Sequence, residues 1–352
     1  MMNKALTPNS SRILLIKLSS FGDVLHALPT LEALKEAFPQ SHITWLVEEA
    51  YAPLLVGHPA LDEVWPVPRV RFSRKVQPAE LAALGRLIQR LRRHPFDLVI
   101  DLQGLLKSAF WVALAKSPRK VGYAGTREGS YKVLTERVPP YEKEAHAVLR
   151  YLNLAHYLGA PPTLTIRFRL GLTPKVDIGE IIPAKDHRPL AVLHPGARWP
   201  TKLWPAASWA RLADWLSQVH GLRVIITGSA ADQNLTAQIV AQMRQEALNL
   251  AGLTSLEELV GILQKARLAV TTDTGPMHLA AALGVPVAAL FGPTAPWRTG
   301  PFGSGHEILR LDLDCSPCFK RRCPEPRCLT DLPLETVQAA CEKILAREGN
   351  TC

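Results

Sequence analysis

The chain has 352 residues, 47% of them hydrophobic and 20% charged, which is typical of a globular protein and long enough to predict two domains. No apolar run reaches the about 18 residues of a transmembrane helix, and the polar stretch 1–12 lacks the apolar core of a signal peptide, so a cytoplasmic protein is expected. The formal net charge of +10 favours a polyanionic partner, namely a phosphorylated substrate, an acidic membrane surface or nucleic acid, but no nucleic-acid-binding signature accompanies it.

The first predicted element is a buried strand over residues 13–18, which leads into the turn 19–26 and then a helix. In open α/β sheets ligands bind at the carboxyl ends of the strands, where this turn lies. The turn contains Ser20, Gly22 and Asp23. Two interpretations of Asp23 stay open: a helix cap stabilised by the dipole, or a general base in a cleft.

The N-terminal half continues as alternating strands and helices, which predicts a doubly wound parallel sheet. Strands are predicted over 43–47, 63–67 and 97–102, and Pro66 makes the second of these an edge strand. An amphipathic helix over 79–94 carries arginines on one face, namely Arg86, Arg90 and Arg93. This face can rest on anionic lipid.

A proline-rich stretch, 161–190, is predicted to link two domains, and the alternation then resumes. Strands are predicted over 190–194, 222–227, 268–272 and 285–291, followed by a last helix over 333–347. We therefore expect a domain over 1–170, a second over 185–330, and a C-terminal helix within 331–352 that packs back toward the first domain.

A second group of polar residues, Asp273, Thr274, Gly275 and His278, lies where the strand 268–272 leads into a helix. Backbone amides at such a helix start attract phosphate, although a lone histidine there is more commonly structural. Lys202 follows an earlier strand-end loop and is either a diphosphate partner or a solvated surface lysine. Ser229 ends another strand of this half and can line a nucleoside pocket. No GxGxxG or Walker A sequence is present.

Four closely spaced cysteines, Cys315, Cys318, Cys323 and Cys328, follow the last predicted strand. They either bind a structural zinc ion or remain reduced thiols, because their spacing matches no common zinc module closely. Without an export signal, a disulfide framework is not expected.

Four motifs together resemble glycosyltransferase family 9, the lipopolysaccharide heptosyltransferases. They are Ser-Ser-Phe-Gly-Asp-Val-Leu-His at 19–26, Asp-Leu-Gln-Gly-Leu-Leu-Lys-Ser at 101–108, Leu-His-Pro-Gly-Ala at 193–197 and Thr-Asp-Thr-Gly-Pro-Met-His at 272–278. The stretch 13–67 is most similar to the type I members. The resemblance covers nearly the whole chain, with the motifs in the family's order.

The resemblance implies a GT-B fold of two Rossmann-like domains facing a cleft. It implies transfer of L-glycero-D-manno-heptose from ADP-heptose to a Kdo residue of Kdo-lipid A, with inversion and with Asp23 as general base. No metal ion or other cofactor is expected, since donors at the helix start can stabilise the departing ADP. The enzyme is expected at the cytoplasmic face of the inner membrane, as a peripheral protein against its anionic surface, with no nucleic-acid partner.

The same resemblance assigns the binding residues. The donor is expected to contact Ala197, Arg198, Thr201, Lys202, Ser229, Asp273, Thr274, Gly275 and His278. The acceptor is expected to contact Ser20, Gly22, Arg69, Arg71, Arg74, Lys75 and Arg127, where arginines suit its carboxylate and phosphates, although a solvated charge run is the alternative.

Two departures concern the donor side. Type I members carry a threonine pair where this chain has Ala197-Arg198 and one extra residue, and a glutamate where it has Ala230. The nucleoside contacts and the type I assignment therefore stay open, and a type II heptosyltransferase or another core-sugar transferase is one alternative. A non-catalytic nucleotide-sugar- or polyanion-binding protein is the other, because the fold alone does not separate it from an enzyme.

Overall fold

The computed structural model describes residues 11–68, 77–162, 166–172 and 187–349. The chain forms two compact units, 1–172 and 173–352. Each unit contains one six-stranded parallel sheet. The expected boundaries at 170 and 185 stay predictions, and most of the expected linker lies outside the described residues.

The first unit has the strand order β3-β2-β1-β4-β5-β6, with every pair parallel. Its strands are β1 Arg12–Ile16, β2 His42–Glu48, β3 Glu63–Val67, β4 Leu98–Asp101, β5 Arg119–Tyr123 and β6 Glu136–Val138. Its helices are α1 Phe21–Ala37, α2 Pro78–Arg93, α3 Leu106–Leu114 and α4 Ala147–Tyr157, with 3₁₀ turns over Glu49–Leu54 and Arg127–Val133.

The central strands of this sheet are apolar and buried on both faces, because right-handed crossovers place helices on each side. On one side α2 and α3 share a core cluster with the strands, through Leu87, Leu91, Trp111 and Val112. On the other side α1 packs against α4. Two helix faces therefore support the turn that follows β1.

The second unit repeats this topology, with the order β12-β11-β10-β7-β8-β9. Its strands are β7 Leu190–His194, β8 Arg223–Ile226, β9 Ala247–Asn249, β10 Ala266–Thr272, β11 Val287–Leu290 and β12 Glu307–Leu309. Its helices are α5 Ala206–His220, α6 Gln233–Gln242, α7 Leu256–Gln264, α8 Gly275–Ala282, α9 Pro296–Thr299, α10 Arg327–Thr330 and α11 Leu334–Gly349, with 3₁₀ turns over Pro200–Lys202 and Ala230–Asp232.

The last helix, α11, packs on the second unit, against α5, β10, β11 and β12. Val337, Cys341 and Ile344 of α11 belong to the same core cluster as Trp209 and Leu216 of α5. These contacts anchor the C-terminus on its own sheet. The expected return of this helix toward the first domain stays a prediction.

The long apolar strands are found where the sequence predicts them, and β3, which contains Pro66, is an edge strand as expected. The strands that the sequence does not predict are β5, β6, β9 and β12, of which the last three have three residues each. Within the described ranges, we find no helix with both the length and the apolar character needed to span a membrane.

Both sheets have the 3-2-1-4-5-6 order of doubly wound folds, in which the direction of winding reverses between the first and fourth strands. Ligands of such sheets bind beyond the strand ends at this switch point. The switch point lies between β1 and β4 in the first unit and between β7 and β10 in the second. The turns that follow these four strands are therefore the places to look for a functional site.

Candidate active site

The turn after β1 presents Asp23 at the switch point of the first unit. Asp23 occupies the first turn of α1, and both the backbone N–H and Oγ of Ser20 donate to its Oδ2, over 3.1 and 2.8 Å. The Asp23 side chain is nonetheless 35% exposed to solvent. The capping and functional interpretations of Asp23 are thus compatible, because the capping carboxylate is still partly exposed.

Lys17 and Tyr151 hold the other oxygen from inside the unit. The Tyr151 hydroxyl donates to Asp23 Oδ1 over 2.8 Å, and Lys17 Nζ lies 3.7 Å from the same oxygen. Lys17 Nζ also donates to the Tyr151 hydroxyl oxygen over 2.7 Å. Lys17 continues the chain beyond β1 and is buried, whereas Tyr151 comes from α4, which packs on α1.

This arrangement keeps Asp23 ionised. Burial raises the pKa of Asp23. The Lys17 ammonium and the hydrogen bonds from Ser20 and Tyr151 lower it by more than burial raises it, so the pKa falls below its ordinary value of 3.8. Burial lowers the pKa of Lys17, and the nearby carboxylates Asp23 and Asp101 oppose that shift. A partly exposed carboxylate that remains charged can accept a proton from a bound hydroxyl group.

The turn after β4 fixes the backbone that carries this site. Gln103 Oε1 accepts hydrogen bonds from the backbone N–H groups of Leu18 and Ser19, over 3.1 and 3.0 Å. Lys107 Nζ contacts Ser19 Oγ and donates to Glu48 Oε1 over 2.8 Å. The motif at 101–108 therefore positions the turn after β1, and Glu48 at the end of β2 joins them.

In the second unit, the partly buried Lys202 pairs with the buried Asp273 across the switch point. Lys202 Nζ donates to Asp273 Oδ2 over 2.6 Å and to its backbone oxygen over 3.1 Å. The Thr294 hydroxyl donates to the same Oδ2 over 2.5 Å. Asp273 is 6% exposed, so its function in the fold is to orient the ammonium rather than to meet solvent.

Backbone amides gather beside this pair where α8 begins. Thr274 is the N-cap of α8, Gly275 and Pro276 open it, and His278 lies in its first turn, partly buried. The hydroxyl of Thr272 donates to the Gly196 carbonyl over 2.8 Å and so ties the end of β10 to the loop after β7. A helix start beside an ammonium group is suited to binding a phosphate.

The loop after β8 has a local arrangement like that of Ser20 and Asp23. The backbone N–H and Oγ of Ser229 donate to Asp232 Oδ2 over 2.8 and 2.6 Å. A Cβ atom on Gly196 would lie 2.4 Å from Asp232 Cγ, so glycine there lets the loops after β7 and β8 approach each other. Ser229 therefore lies beside the loop that carries Ala197.

The remaining donor-side residues lie on the loop between β7 and α5. Ala197 is partly buried, and Arg198 is exposed. Thr201 is buried, and its hydroxyl donates to the Lys320 carbonyl over 2.9 Å. Lys202 also lies 4.6 Å from the ring centre of Trp199.

Among the acceptor-side residues, Gly22 is buried in α1, and Arg127 is exposed at the start of a 3₁₀ turn. Glu128, beside Arg127, accepts a hydrogen bond from the backbone of Leu106 over 2.9 Å, so this turn adjoins α3. The predicted basic run, Arg69, Arg71, Arg74 and Lys75, lies outside the described residues.

The cysteine segment does not form a metal site in the structure. In the part of the chain that is described, no three His, Cys, Asp or Glu side chains are placed to hold a metal ion, so the zinc alternative gains no support. The segment is attached by hydrogen bonds instead: Ser316 Oγ donates to the Gly292 carbonyl over 2.7 Å, and Phe319 N donates to the Pro293 carbonyl over 2.7 Å.

The sequence analysis did not assign Lys17, Tyr151, Gln103, Lys107 or Thr294 to the site. The sequence could have indicated Lys17, because a lysine inside an apolar strand run is buried only when it has a charged or polar partner. Nothing in the sequence indicates Tyr151, since it is 128 residues from Asp23 along the chain.

A family model described as glycosyltransferase family 9 (heptosyltransferase) matches residues 84–329. Lipopolysaccharide heptosyltransferase 1 of Pseudomonas aeruginosa is 36% identical over 340 residues, which cover 92% of each chain. Lipopolysaccharide heptosyltransferase 2 of Salmonella typhimurium is 31% identical over 85% of this chain and 88% of its own.

Solved structures match the whole fold. Escherichia coli heptosyltransferase WaaC with ADP superposes with a TM-score of 0.77 and 26% identity, covering 95% of this chain and 99% of that one. The E. coli ADP-heptose lipopolysaccharide heptosyltransferase II superposes with a TM-score of 0.76 and 28% identity, covering 96% of this chain and 99% of that one. The expected GT-B class is thereby confirmed. The strand-end turns, the family match over most of the chain and these relatives lead to one conclusion: the chain belongs to glycosyltransferase family 9, the heptosyltransferases.

Proposed function

We propose that this enzyme transfers L-glycero-D-manno-heptose from ADP-heptose to a Kdo residue of the lipopolysaccharide inner core, with Asp23 as the general base. Relatives named as lipopolysaccharide heptosyltransferases 1 and 2, and a structure of WaaC with an ADP-2-deoxy-2-fluoro heptose, support the donor and the acceptor class. The observation that carries the catalytic assignment is the partly exposed Asp23 carboxylate, which Lys17 and Tyr151 keep ionised.

The proposed reaction is a single displacement at the anomeric carbon of the heptose. As a Kdo hydroxyl oxygen forms the new bond to that carbon, its proton passes to Asp23, and the bond from the carbon to the diphosphate oxygen breaks. Attack opposite to the leaving group inverts the anomeric carbon. Asp23 needs only to be charged and reachable for this step, because the hydroxyl becomes acidic as the bond forms.

The donor is proposed to bind in the second unit, with its diphosphate between Lys202 and the start of α8. Asp273 and Thr294 fix the Lys202 ammonium, while the amides of Thr274 and Gly275 lie beside it. The ammonium and the two amides supply positive potential where charge grows on the departing ADP. Ala197, Arg198, Thr201, Ser229 and His278 are proposed to line the remaining donor contacts.

The acceptor is proposed to bind at the first unit, in contact with Ser20, Gly22 and Arg127. Its carboxylate and phosphates are proposed to pair with the basic residues Arg69, Arg71, Arg74 and Lys75. Because that acceptor is a lipid, we also propose that the enzyme works at the cytoplasmic face of the inner membrane, where its net charge of +10 favours an anionic surface.

The test is ADP release by the purified enzyme with ADP-heptose and Kdo-lipid A. Asp23→Asn keeps the shape of the side chain and removes its basicity, so transfer should fall by about 10²–10⁴-fold while ADP affinity stays unchanged. Lys202→Ala should instead weaken ADP binding by about 10–100-fold, because it removes a charged hydrogen-bond donor.

Two surface variants serve as controls: Asp312→Asn, at a fully exposed carboxylate, and Lys343→Ala, at an exposed lysine. Both should keep wild-type transfer and ADP affinity. Turnover by Asp23→Asn equal to that of the wild type would remove the catalytic assignment. ADP-heptose binding without any transfer by the wild type would favour a non-catalytic binding protein.

A further inference from the structure

The four clustered cysteines lie on a segment that the proposed function does not use. We call residues 315–328 the cysteine segment. Two hydrogen bonds attach it to the turn after β11, where Ser316 Oγ and Phe319 N each donate over 2.7 Å to a carbonyl of residues 292–293. The next residue of that turn is Thr294, which belongs to the donor side of the candidate site. The cysteine segment therefore adjoins the groups that are proposed to hold the donor.

The same segment also contacts the loop that carries Lys202. The hydroxyl of the buried Thr201 donates to the carbonyl of Lys320 over 2.9 Å. Thr201 directly precedes Lys202 in the chain. The backbone at Lys320 is thus fixed beside the residue whose ammonium is proposed to bind the diphosphate.

Arg321, which follows Lys320, lies over the ring of Trp199. The central carbon of its guanidinium is 5.2 Å from the ring centre, and Lys202 Nζ is 4.6 Å from a ring centre of the same indole. An arginine that lies against an aromatic ring keeps its planar set of N–H donors for other partners. The contact with Trp199 therefore places a second cation close to Lys202.

The charge of Lys202 is balanced to a large extent within the protein. Its ammonium donates to the carboxylate of Asp273 over 2.6 Å, so the pair is close to neutral. The start of α8 adds a partial positive charge, equivalent to about half an elementary charge. Since each phosphate group of a sugar-linked diphosphate is negative, a further cation at this place would balance the charge that remains.

Arg321 is available as that cation. Its side chain is exposed, and no carboxylate in the part of the chain that the structure describes lies within ion-pair distance of it. By contrast, Arg310 and Arg327, on either side of it in the chain, are paired with Asp312 and Asp331. A guanidinium group can donate to two phosphate oxygens at once.

We propose that Arg321 binds the diphosphate of the donor together with Lys202, and that the ring of Trp199 sets the position of its guanidinium. This inference rests on the proposed function in one respect, namely that the donor is a nucleoside diphosphate sugar bound in the second unit. Its consequence is that the cysteine segment forms part of the donor site. Arg321 acts on the affinity for the donor.

Calorimetric titration with ADP and with inorganic pyrophosphate tests this contact. Arg321→Gln removes the charge and keeps much of the side-chain length, so it should weaken the binding of both compounds by about 5–20-fold. Arg321→Lys keeps the charge without the planar fork and should lie between this variant and the wild type. The matched control is Arg322→Gln, at the adjacent exposed arginine, which should bind both compounds like the wild type.

The outcomes that contradict the proposal are distinct. Arg321→Gln should keep the wild-type melting temperature, because the side chain is exposed and Ser316 and Phe319 still attach the segment. Weaker binding of ADP but not of pyrophosphate would assign Arg321 to the nucleoside and overturn the diphosphate contact. Unchanged binding of both compounds, or equal weakening by Arg322→Gln, would also overturn it.

A double-mutant cycle tests the function of Trp199. In a Trp199→Leu background the guanidinium has no aromatic ring to lie against, so Arg321→Gln should weaken ADP binding by less than about threefold further. The full effect of Arg321→Gln in that background would show that Trp199 does not position the arginine.

Comparison with Lys202→Ala separates this inference from the proposed function. If the wild type binds ADP and transfers heptose, and Lys202→Ala weakens ADP binding while Arg321→Gln does not, the inference about Arg321 fails alone. If the wild type binds neither ADP nor ADP-heptose, the proposed function itself fails.

Discussion

Asp23 and Asp232 have the same local hydrogen bonds to a serine, but they differ in their contacts with the rest of the unit. Each accepts hydrogen bonds from the N–H and hydroxyl of a serine three residues earlier. Asp23 additionally receives the Tyr151 hydroxyl and faces the buried Lys17 ammonium. A serine-capped aspartate at a strand end is therefore a common helix start, and the buried lysine is what makes Asp23 distinctive.

The buried ammonium gives the first prediction at this scale. Because the pKa of Asp23 lies below its ordinary 3.8, the carboxylate stays charged at neutral pH. The rate of transfer should therefore not fall through protonation of Asp23 between pH 5 and 8, a range that lies above the ordinary aspartate pKa of about 4. Lys17→Met removes the largest influence that lowers this pKa and leaves the burial that raises it. The variant should show transfer that declines as pH falls, with the midpoint moved upward.

Measuring kcat/KM against pH for both proteins checks this. Lys35→Met, which removes a partly exposed lysine paired with Asp62, is the matched control and should keep the wild-type profile. A Lys17→Met enzyme with a uniformly lower rate and an unshifted profile would show that Lys17 is structural and does not tune Asp23.

Strands and strand-end turns are where the sequence was informative. Apolar runs of four or more residues marked the central strands of both sheets, and polar residues just beyond those runs marked Asp23 and Asp273. The strands β6 and β12, at the edges, have three residues each and contain Glu136 and Glu307, so no apolar run marks them. Partners such as Tyr151 depend on helix packing between distant parts of the chain, which periodicity does not encode.

The segment 166–172 gives a prediction at the scale of elements. It lies on the loop after the first 3₁₀ turn, where Gly171 N donates to the Leu54 carbonyl over 2.9 Å. A Cβ atom on Gly171 would lie 2.4 Å from the Val56 carbonyl oxygen and 2.6 Å from the Leu55 carbonyl. Because those atoms are backbone, Gly171→Ala should detach the segment and cost about 1–3 kcal/mol in the free energy of unfolding.

Urea unfolding measures the loss, and hydrogen exchange at residues 166–172 localises it. Gly85→Ala is the matched control, since Gly85 lies inside α2 with no atom within 4 Å of the added methyl. That variant should be stabilised by about 0.5–1 kcal/mol, because alanine is the better helix former. Normal protection of 166–172 in Gly171→Ala would contradict the close-packing argument.

At the scale of the whole molecule, each unit has its own sheet and core, so unfolding need not be a single transition. The second unit contains a buried histidine, His194, whose Nδ1 lies 3.0 Å from Thr227 Oγ1. Burial lowers the pKa of His194 from 6.5 to about 4. The unfolded chain therefore binds a proton at this residue before the folded unit does.

The sign of the pH effect follows from that difference. As pH falls through 6.5 toward 4, the unfolded state gains a proton that the folded state lacks, so the unit should lose stability, by about 1–3 kcal/mol in all from this residue. Calorimetry at pH 7 and pH 5 should show the transition of the second unit moving to lower temperature. In His194→Gln that shift should shrink, whatever the variant's melting temperature at pH 7.

The exposed His187 supplies the control for this measurement, and His187→Gln should keep the wild-type shift. An unchanged pH response in His194→Gln would mean that the buried histidine is not what couples folding to protons in this unit.

Lys202 lies on the loop after β7, but the residues that fix its ammonium come from other loops. Its ammonium is fixed by Asp273 and Thr294, which stand at the ends of β10 and β11, 71 and more residues further along the chain. An insertion or exchange of side chains ahead of Lys202, such as the Ala197-Arg198 departure, can therefore drift during evolution while the ammonium keeps its place. Under the donor binding proposed above, divergence in that loop would change the contacts to the nucleoside and leave the diphosphate contact of Lys202 in place.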